Sequence, residues 1–302
     1  DERIDASGQF VTPGMIDSHV HLMMDARPDA ESVQGDSEAA LAYRAAENLR
    51  NQAEAGVVAT RDLGAAATVA IDAGAAVAND TLLGPRVQAA GQNVVMTGGH
   101  GHWFGREADG PDEVRKAVRE QLKAGADAIK CMATGGVLTT GAQTGAPELT
   151  PGELEALVET AHTAGRPTAA HCHGTQGIKN AVRAGIDSVE HGTFMDEAAA
   201  ELMAERDTYW VPTLSALKGI VENSDAGIPQ QAVEKGEDAA ERMAAAWEYA
   251  LDAGVPIAMG TDAGTPFNEH ADVAHELAYM VEYGLDERDA LAAATVNAAD
   301  LL

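Results

Sequence analysis

Residues 15–21 have the sequence MIDSHVH, a short apolar run that follows Pro13-Gly14 and ends in two histidines. Its length and its flanking proline and glycine are typical of a β-strand. Runs of the same kind recur along the chain at regular intervals. The sequence therefore predicts eight strands, at 15–21, 57–62, 87–95, 127–133, 167–172, 187–191, 208–214 and 255–261.

Longer amphipathic stretches separate these runs and predict helices. Several of them stop at an Ala-Gly pair, such as Ala124-Gly125, where glycine supplies a left-handed C-cap. Thr150-Pro151 followed by Glu153 is close to a capping box with proline in the first turn. The predicted helices cover 36–55, 66–79, 111–124, 150–164, 174–184, 195–206, 230–252 and 268–283.

The alternation of strands and helices predicts a parallel sheet with right-handed crossovers. At this length, eight such repeats favour an α/β fold closed into a (β/α)8 barrel of the TIM type. A doubly wound open sheet is the alternative, but the glycine fingerprint expected after its first strand is missing from the sequence. In a (β/α)8 barrel the functional groups lie at the carboxyl ends of the strands, so the side chains there are the candidates for chemistry.

The composition excludes several classes of function. Of the 302 residues 45% are hydrophobic, and no apolar run approaches the ~18 residues of a membrane span. The chain carries 48 acidic and 20 basic residues, and its net charge of −28 would repel nucleic-acid phosphates. Two cysteines, Cys131 and Cys172, are too few for a disulfide scaffold and are expected to pack under the helices. The composition predicts a soluble globular protein with no nucleic-acid partner and no membrane partner; it does not bear on a small-molecule substrate.

Six polar side chains lie at predicted strand ends. His19 and His21 are two residues apart, so both imidazoles point to one face of the first strand and enter the barrel mouth together. Neutral imidazoles combined with a carboxylate suit zinc or a similar divalent ion. The predicted ligands of this kind are His19, His21, His171, His191 and Asp262, and Lys130 lies on the fourth strand among them.

Five segments resemble, in order, the motifs of the amidohydrolase superfamily. The similarity is closest to the branch of binuclear-zinc Xaa-Pro dipeptidases, the prolidase-like enzymes, and arginine carboxypeptidase-like members. It extends over nearly the whole chain and implies a metal-dependent hydrolase. The segments are 11–21 (VTPGMIDSHVH), 129–136 (IKCMATGG), 170–174 (AHCHG), 189–192 (VEHG) and 260–263 (GTDA).

The resemblance implies a centre of two divalent metal ions, expected to be zinc. His19 and His21 would hold the more buried ion. His171 and His191 would hold the more exposed ion. Carbon dioxide would be needed as well, because the same resemblance implies a lysine carbamate between the two ions.

Lys130 would be that carbamate, an anionic oxygen ligand that removes the cost of burying a cation in the apolar run around it. A side chain that reaches out to the barrel mouth is the alternative. Asp262 would complete the first metal site and act as general base. Zinc would lower the pKa of a bridging water toward ~7, the hydroxide would attack the carbonyl carbon, and Asp262 would pass a proton to the leaving amine.

The implied reaction is cleavage of a peptide or amide bond in a small substrate, a dipeptide or an N-acyl amino acid with a free carboxylate. His100, in the glycine-rich loop after the third strand, is expected to bind that carboxylate, with Tyr209 on the seventh strand as its partner. A glycine-rich turn with solvated imidazoles is the alternative for this loop. The alternatives for the enzyme are a cyclic amidase, a lactonase or a deaminase, and Lys130 argues against the mononuclear deaminases.

Superfamily members usually carry a small β-sandwich built from both chain ends, and most of it is missing here. Residues 1–12 are expected to be its last strand, and residues 13–302 the barrel. The chain could therefore be a truncated, non-catalytic barrel that serves in binding or as a scaffold, and its uncovered apolar surface would favour homo-oligomers. Because the chain begins at Asp1 without a methionine, an upstream segment is expected, and cytoplasm is the default compartment.

Four further polar residues are expected to have minor roles. Arg61 and Asp62, at the end of the second strand, are expected to form a structural ion pair. His173 lies two residues after His171 and shares its face of the strand, so it is either a supporting residue or a plain loop residue. His270, on the helix after the eighth strand, is expected at the surface.

The even spread of acidic residues predicts a halophilic surface, because concentrated salt screens its self-repulsion. We expect the thermal unfolding midpoint to rise when potassium chloride is raised from dilute buffer to molar concentration, as measured by scanning calorimetry. An uncharged osmolyte at matched osmolality is the control and should reproduce little of the rise. Equal midpoints in dilute and concentrated salt would contradict the prediction.

Overall fold

Parallel strands alternate with helices along the chain, as the repeat predicts. The computed structural model describes residues 3–141 and 143–302. In these ranges the strands are β1 (Met15–Val20), β2 (Val57–Asp62), β3 (Arg86–Ala89), β4 (Val94–Val95), β5 (Arg106–Glu107), β6 (Ile129–Met132), β7 (Thr168–Gly174), β8 (Ser188–Phe194) and β9 (Tyr209–Val211).

The helices cover the outside of the strands. Eight of them begin and end within five residues of the predicted bounds, while α7, α10 and α11 are not predicted by the sequence. A short 3-10 helix also precedes α1. The α-helices of the described ranges are α1 (Glu38–Glu54), α2 (Val69–Ala78), α3 (Pro111–Ala124), α4 (Pro151–Thr163), α5 (Thr175–Ala184), α6 (Glu197–Glu205), α7 (Leu214–Glu222), α8 (Gln230–Ala253), α9 (Val273–Glu282), α10 (Glu287–Ala293) and α11 (Val296–Leu301).

The wall formed by the strands confirms the predicted (β/α)8 barrel. Two parallel sheets make up most of it, in the orders β1-β2-β3 and β5-β4-β6-β7-β8-β9. The N–H of Asp127, just before β6, donates to the Ala89 carbonyl of β3 at 2.8 Å and joins the two sheets. On the opposite side a parallel bridge between Trp210 and Ile257 brings the segment after α8 beside β9.

Two predicted strands are less regular than the sequence suggests. The run 87–95 is split into β3 and β4, because Gly91 between them has a φ of +70° and interrupts the extended backbone. The run 255–261 forms no regular strand in the described part of the chain. It still closes the barrel, because the Ser18 N–H of β1 donates to the Met259 carbonyl at 2.9 Å.

Side chains on the strands alternate between the helices outside and the interior of the barrel. The main hydrophobic core lies between strands and helices and contains both cysteines, Cys131 and Cys172, as buried free thiols. Trp210 of β9 packs against Trp247 of α8 with ring centroids 4.9 Å apart in this layer. The outward orientation expected for the two cysteines is therefore confirmed.

The helix termini follow local rules that the sequence predicts. Glu153 accepts a hydrogen bond from the Thr150 N–H at 2.7 Å and so completes the capping box of α4. The helix α3 ends at Gly125, whose φ of +105° is the left-handed conformation of a glycine C-cap.

Residues 3–12 run outside the barrel, and no strand ladder is described for them. Phe10 is 99% exposed and Val11 86% exposed, so this segment covers none of the barrel core. Its assignment to a β-sandwich stays a prediction. Among the described helices, none combines the length and the apolar character that crossing a membrane requires.

Candidate metal centre

A cavity opens at the carboxyl ends of the strands, where a (β/α)8 barrel carries its functional groups. All six predicted ligands line this one cavity, and each of them is buried. They come from four strands and from the segment that closes the barrel. The six residues are His19, His21, Lys130, His171, His191 and Asp262.

Three of these side chains form a compact group. The Nε2 atoms of His19 and His21 lie 3.4 and 3.3 Å from Oδ1 of Asp262. One ligand atom from each residue lies within 4.8 Å of the others, a spacing that would hold one metal ion. Burial lowers the pKa of His21, but the contact with Asp262 outweighs it and raises the pKa overall.

A second group of imidazoles lies beside the first. The ring centroids of His171 and His191 are 4.5 Å apart, and those of His19 and His191 are 5.1 Å apart. His173 stacks on His191 at 5.1 Å with an interplanar angle of 16°. His173 therefore lines the cavity rather than an outer loop, and its Nδ1 lies 2.7 Å from the Thr193 hydroxyl.

Lys130, on β6, lines the same cavity as these groups, with 1% of its surface exposed. Burial lowers the pKa of its amine, because the interior disfavours the cation. The alternative in which the side chain reaches out to solvent does not fit this exposure. The arrangement instead holds an amine inside the cavity, facing the buried imidazoles.

Burial also determines the protonation of the other groups. Burial, followed by the nearby charge of Lys130, lowers the pKa of His19 to about 4. Burial and then the neighbouring imidazoles hold the pKa values of His171 and His191 well below the ordinary value. For Asp262 burial alone would raise the pKa, but the contacts with His19 and His21 and the charge of Lys130 lower it. The lowered pKa values of His19, His171 and His191 favour neutral rings, and that of Asp262 favours a carboxylate, the forms that bind a metal ion.

Three of the four candidate ligand rings are oriented by a partner on the far side. His21 Nδ1 lies 2.8 Å from the Gly64 carbonyl, to which only a protonated nitrogen can donate, and His191 Nδ1 lies 2.7 Å from the Thr213 hydroxyl. A proton on Nδ1 leaves Nε2 free to act as a ligand. His19 Nδ1 lies 2.8 Å from Oε2 of Glu190.

The unpaired atoms in the cavity fit a metal ion. His19 Nε2, His171 Nε2 and Asp262 Oδ1 are buried and have no hydrogen-bond partner within the described residues. Buried polar atoms are almost always paired, so three unpaired ligand atoms facing one cavity need an explanation. Imidazole nitrogen and carboxylate oxygen are donors that zinc accepts.

The backbone leaves the β conformation where the ligands are presented. His191 has a φ of +66°, Thr213 of +53° and Asp262 of +58°. A left-handed backbone at a residue other than glycine costs of the order of 1–3 kcal/mol and is concentrated at functional sites. The turn at His191 directs its ring into the barrel, although strand alternation would direct it outward.

Two buried carboxylates that the sequence analysis missed support these turns. Asp17 accepts hydrogen bonds from the Thr261 N–H at 3.0 Å and its hydroxyl at 2.7 Å, which joins β1 to the segment carrying Asp262. Glu276 of α9 accepts from the Leu214 and Ser215 N–H groups at 2.8 and 2.7 Å. No sequence signal distinguishes them from the many surface carboxylates, because their partners are distant along the chain.

The structure separates the two predicted substrate-binding residues. His100 lines the cavity, and its backbone N–H donates to both carboxylate oxygens of Glu148. Tyr209 is the first residue of β9, pairs with Ser188 at the start of β8, and lines a different cavity. The predicted partnership of Tyr209 with His100 is wrong, because the amino end of a barrel strand is remote from the mouth.

Two minor expectations also need correction. Arg61 pairs with Glu190 across the barrel at 3.1 Å, while Asp62 accepts from the N–H of Leu22 at 2.7 Å. The predicted Arg61–Asp62 ion pair is therefore wrong. His270 is 2% exposed and not at the surface, because the segment before α9 pairs with the loop after β1, where the Phe267 N–H donates to the Ala26 carbonyl at 2.9 Å.

Together, these features define the class of protein: a (β/α)8 barrel with a histidine-rich candidate metal centre, a buried lysine and a carboxylate at its mouth. The chain belongs to the amidohydrolase family, whose match covers residues 10–302.

Similar proteins agree with this assignment. The chain is 32% identical to an ochratoxinase of Aspergillus niger, over 95% of this chain and 64% of that protein. The chain thus spans less than two thirds of the length of this curated relative. The fold of this chain is similar to that of a Xaa-Pro dipeptidase with bound methionine, with a TM-score of 0.90. The two sequences are 35% identical, and the match covers 96% of this chain and 75% of the other. A prolidase complexed with N-methylphosphonate-L-proline has a TM-score of 0.90, 30% identity and coverage of 99% and 76%.

The Glu276 carboxylate that supports the loop after β9 gives a testable pH dependence. Burial raises its pKa from the ordinary 4.5 to about 7. Between these values the folded protein holds a proton that the unfolded chain has lost, so this group's contribution to the free energy of unfolding falls as the pH rises.

We therefore expect the free energy of unfolding of the wild type, relative to that of Glu276→Gln, to fall as the pH rises from 4.5 to about 7. The slope should be at most about 1.4 kcal/mol per pH unit, measured by urea unfolding. Asp252→Asn, at an exposed position of α8, is the matched control. A difference for Glu276→Gln that is independent of pH would contradict the prediction.

Proposed function

We propose that this protein is a metal-dependent hydrolase that cleaves the peptide or amide bond of a small substrate. The observation that carries the proposal is the convergence of six buried ligand side chains on one cavity at the barrel mouth. The family match and the similarity to a dipeptidase, a prolidase and an ochratoxinase support the same class of reaction.

The chain's own residues would hold two divalent ions, for which zinc is the best fit to the donors. His19, His21 and Asp262 would hold one ion. His171 and His191 would hold the other. When bound, such ions polarise a carbonyl group and lower the pKa of water.

Lys130 is proposed to join the two positions as a carbamate. Its buried amine with a lowered pKa has the lone pair that attacks carbon dioxide. The amine nitrogen forms the new bond to carbon and gives up one of its own protons to solvent, which leaves a carbamate anion. Such an anion would be stabilised by the two proposed ions, whereas a buried ammonium ion would be repelled by them.

Asp262 is proposed to move the proton. Its carboxylate has a pKa below the ordinary value, so it is ionised at neutral pH, and its Oδ1 faces the cavity without a hydrogen-bond partner. A carboxylate at this position can take a proton from the attacking water and deliver it to the leaving amine. His100 would orient the substrate as a hydrogen-bond donor, because burial lowers its pKa to about 3 and leaves it neutral.

The rest of the cavity wall favours an apolar substrate. Of the described residues that line it, Lys130 is the one with a lysine or arginine side chain, and it belongs to the metal centre. An acidic or basic substrate side chain would thus be buried without a partner, which costs several kcal/mol. The apolar wall includes Met24, Trp103, Phe104, Leu138, Leu217 and Ile220.

Replacement of Asp262 tests the mechanism. We expect Asp262→Asn to lower kcat by about 10²–10⁴-fold, because the amide cannot accept the proton. Turnover of a proline dipeptide and zinc content should be measured on the same sample. The exposed Asp252→Asn is the control and should keep full activity. Full turnover by an Asp262→Asn protein that retains its metal would remove Asp262 from this role.

A series of Xaa-proline dipeptides tests the substrate class. We expect leucine, methionine or phenylalanine before proline to give a kcat/KM at least about 10-fold higher than aspartate or glutamate, because the apolar wall cannot pair a charge. Equal values across the series would contradict the apolar substrate. Failure to cleave any dipeptide or N-acyl amino acid, with metal bound, would contradict the proposed reaction.

A further inference from the structure

Glu190 is a carboxylate in the interior of the barrel that the proposed reaction does not use. It lies on β8 next to His191, and its side chain is completely buried. Its Oε2 is 2.8 Å from His19 Nδ1 on β1, on the opposite side of that ring from Asp262. Glu190 therefore touches a candidate ligand but faces away from the cavity.

Arg61 holds the other oxygen of this carboxylate. It lies on β2, is also completely buried, and donates from Nη2 to Oε1 of Glu190 at 3.1 Å. Its Nε donates to the Ser18 carbonyl, beside His19, at 2.7 Å. The Ser188 hydroxyl is a third partner of this group. Three strands are thus joined around the back of one imidazole.

This partner differs in charge from those of the other candidate ligands. His21 and His191 face a backbone carbonyl and a threonine hydroxyl, which are neutral. His19 faces a carboxylate that is itself paired with a guanidinium. A carboxylate that accepts a ring N–H from a metal ligand fixes the tautomer and strengthens the other nitrogen as a donor.

We propose that Glu190, held by Arg61, is a positioning residue that keeps His19 protonated at Nδ1, so that Nε2 is presented to the metal centre. The proposal rests on the metal centre of the proposed function. It goes beyond that function by assigning separate roles to two residues outside the cavity. A purely structural ion pair between β2 and β8 would hold the strands together without affecting the tautomer of His19.

The metal-free protein provides the first test. Ring ¹⁵N chemical shifts distinguish protonated from unprotonated nitrogens, and the chain has ten histidines, so histidine-labelled protein gives a spectrum that can be assigned. The His19 signals are identified by their loss in His19→Asn. We expect the Nδ1–H tautomer at about pH 8, where imidazoles are neutral. An Nε2–H tautomer in the wild type would overturn the proposal, and this test requires no other variant to fold.

Glu190→Gln provides the second test. Arg61 and Ser188 demand an acceptor, so the glutamine should direct its oxygen to them and its NH₂ toward His19. A donor facing Nδ1 favours the Nε2–H tautomer, which cannot bind a metal through Nε2. We expect the ¹⁵N spectrum to show this switch, and the dissociation constant for Zn²⁺, measured by competition with a chromophoric chelator, to rise by about 10–100-fold.

Glu153→Gln is the matched control, because Glu153 is another buried carboxylate whose hydrogen bonds go to Gly110 and Thr150. It should leave both the His19 tautomer and the Zn²⁺ affinity unchanged. A folded Glu190→Gln protein with the wild-type tautomer and affinity would overturn the proposal. A wild type that binds no Zn²⁺ would instead overturn the proposed function, while the metal-free spectrum would still decide the tautomer of His19.

Discussion

The burial of ionisable side chains inside the barrel mouth is the constraint on which the rest of the structure depends. A charge moved out of water costs several kcal/mol unless a partner compensates it. Arg61 and Glu190 compensate each other across the interior, and Asp262 faces two imidazoles. Among the described residues no carboxylate forms an ion pair with Lys130, and its side chain lines the cavity together with the imidazoles. The centre is therefore electrostatically incomplete in a way that carbamylation and divalent ions would correct.

The same constraint accounts for the loops around the mouth. Left-handed backbone at His191, Thr213 and Asp262 turns the strand ends inward, and each turn is held by buried hydrogen bonds. Glu276 binds the first N–H groups of α7 directly after Thr213, whose hydroxyl in turn meets His191. The strain at the mouth is thus offset by carboxylates that lie outside the cavity, which keeps the ligand positions fixed before any ion binds.

The sequence predicts those parts of the site that follow from periodicity. His19 and His21 share a strand face, and the strand ends of a barrel meet at one mouth, so the four histidines and Asp262 could be named as candidate ligands from spacing and residue type. The candidate role of Lys130 came from the resemblance. Glu190 could not be found in this way. Alternation places it on the opposite face from His191, and only the left-handed turn at His191 brings both residues to the interior.

The errors have the same origin. Tyr209 was paired with His100 through the resemblance, although the predicted strand 208–214 already placed it at the amino end of that strand. In the structure β9 begins at Tyr209 and ends at Val211, and Thr213, which follows it, lines the mouth. Arg61 was paired with its sequence neighbour because a single sequence contains no information on contacts across a barrel. Periodicity thus predicts which face a residue is on, but the ends of strands determine which residues reach the site.

The charge of the whole chain bears on what reaches this centre. A net charge of −28 attracts cations and repels anions over distances up to about the Debye length, ~8 Å at physiological salt. Divalent ions would be concentrated near the mouth, while a substrate with excess negative charge would be disfavoured on approach. The proposed dipeptide substrate is zwitterionic, so it would carry no net charge against this field. The long-range charge and the apolar wall would thus act in the same direction, against acidic substrates.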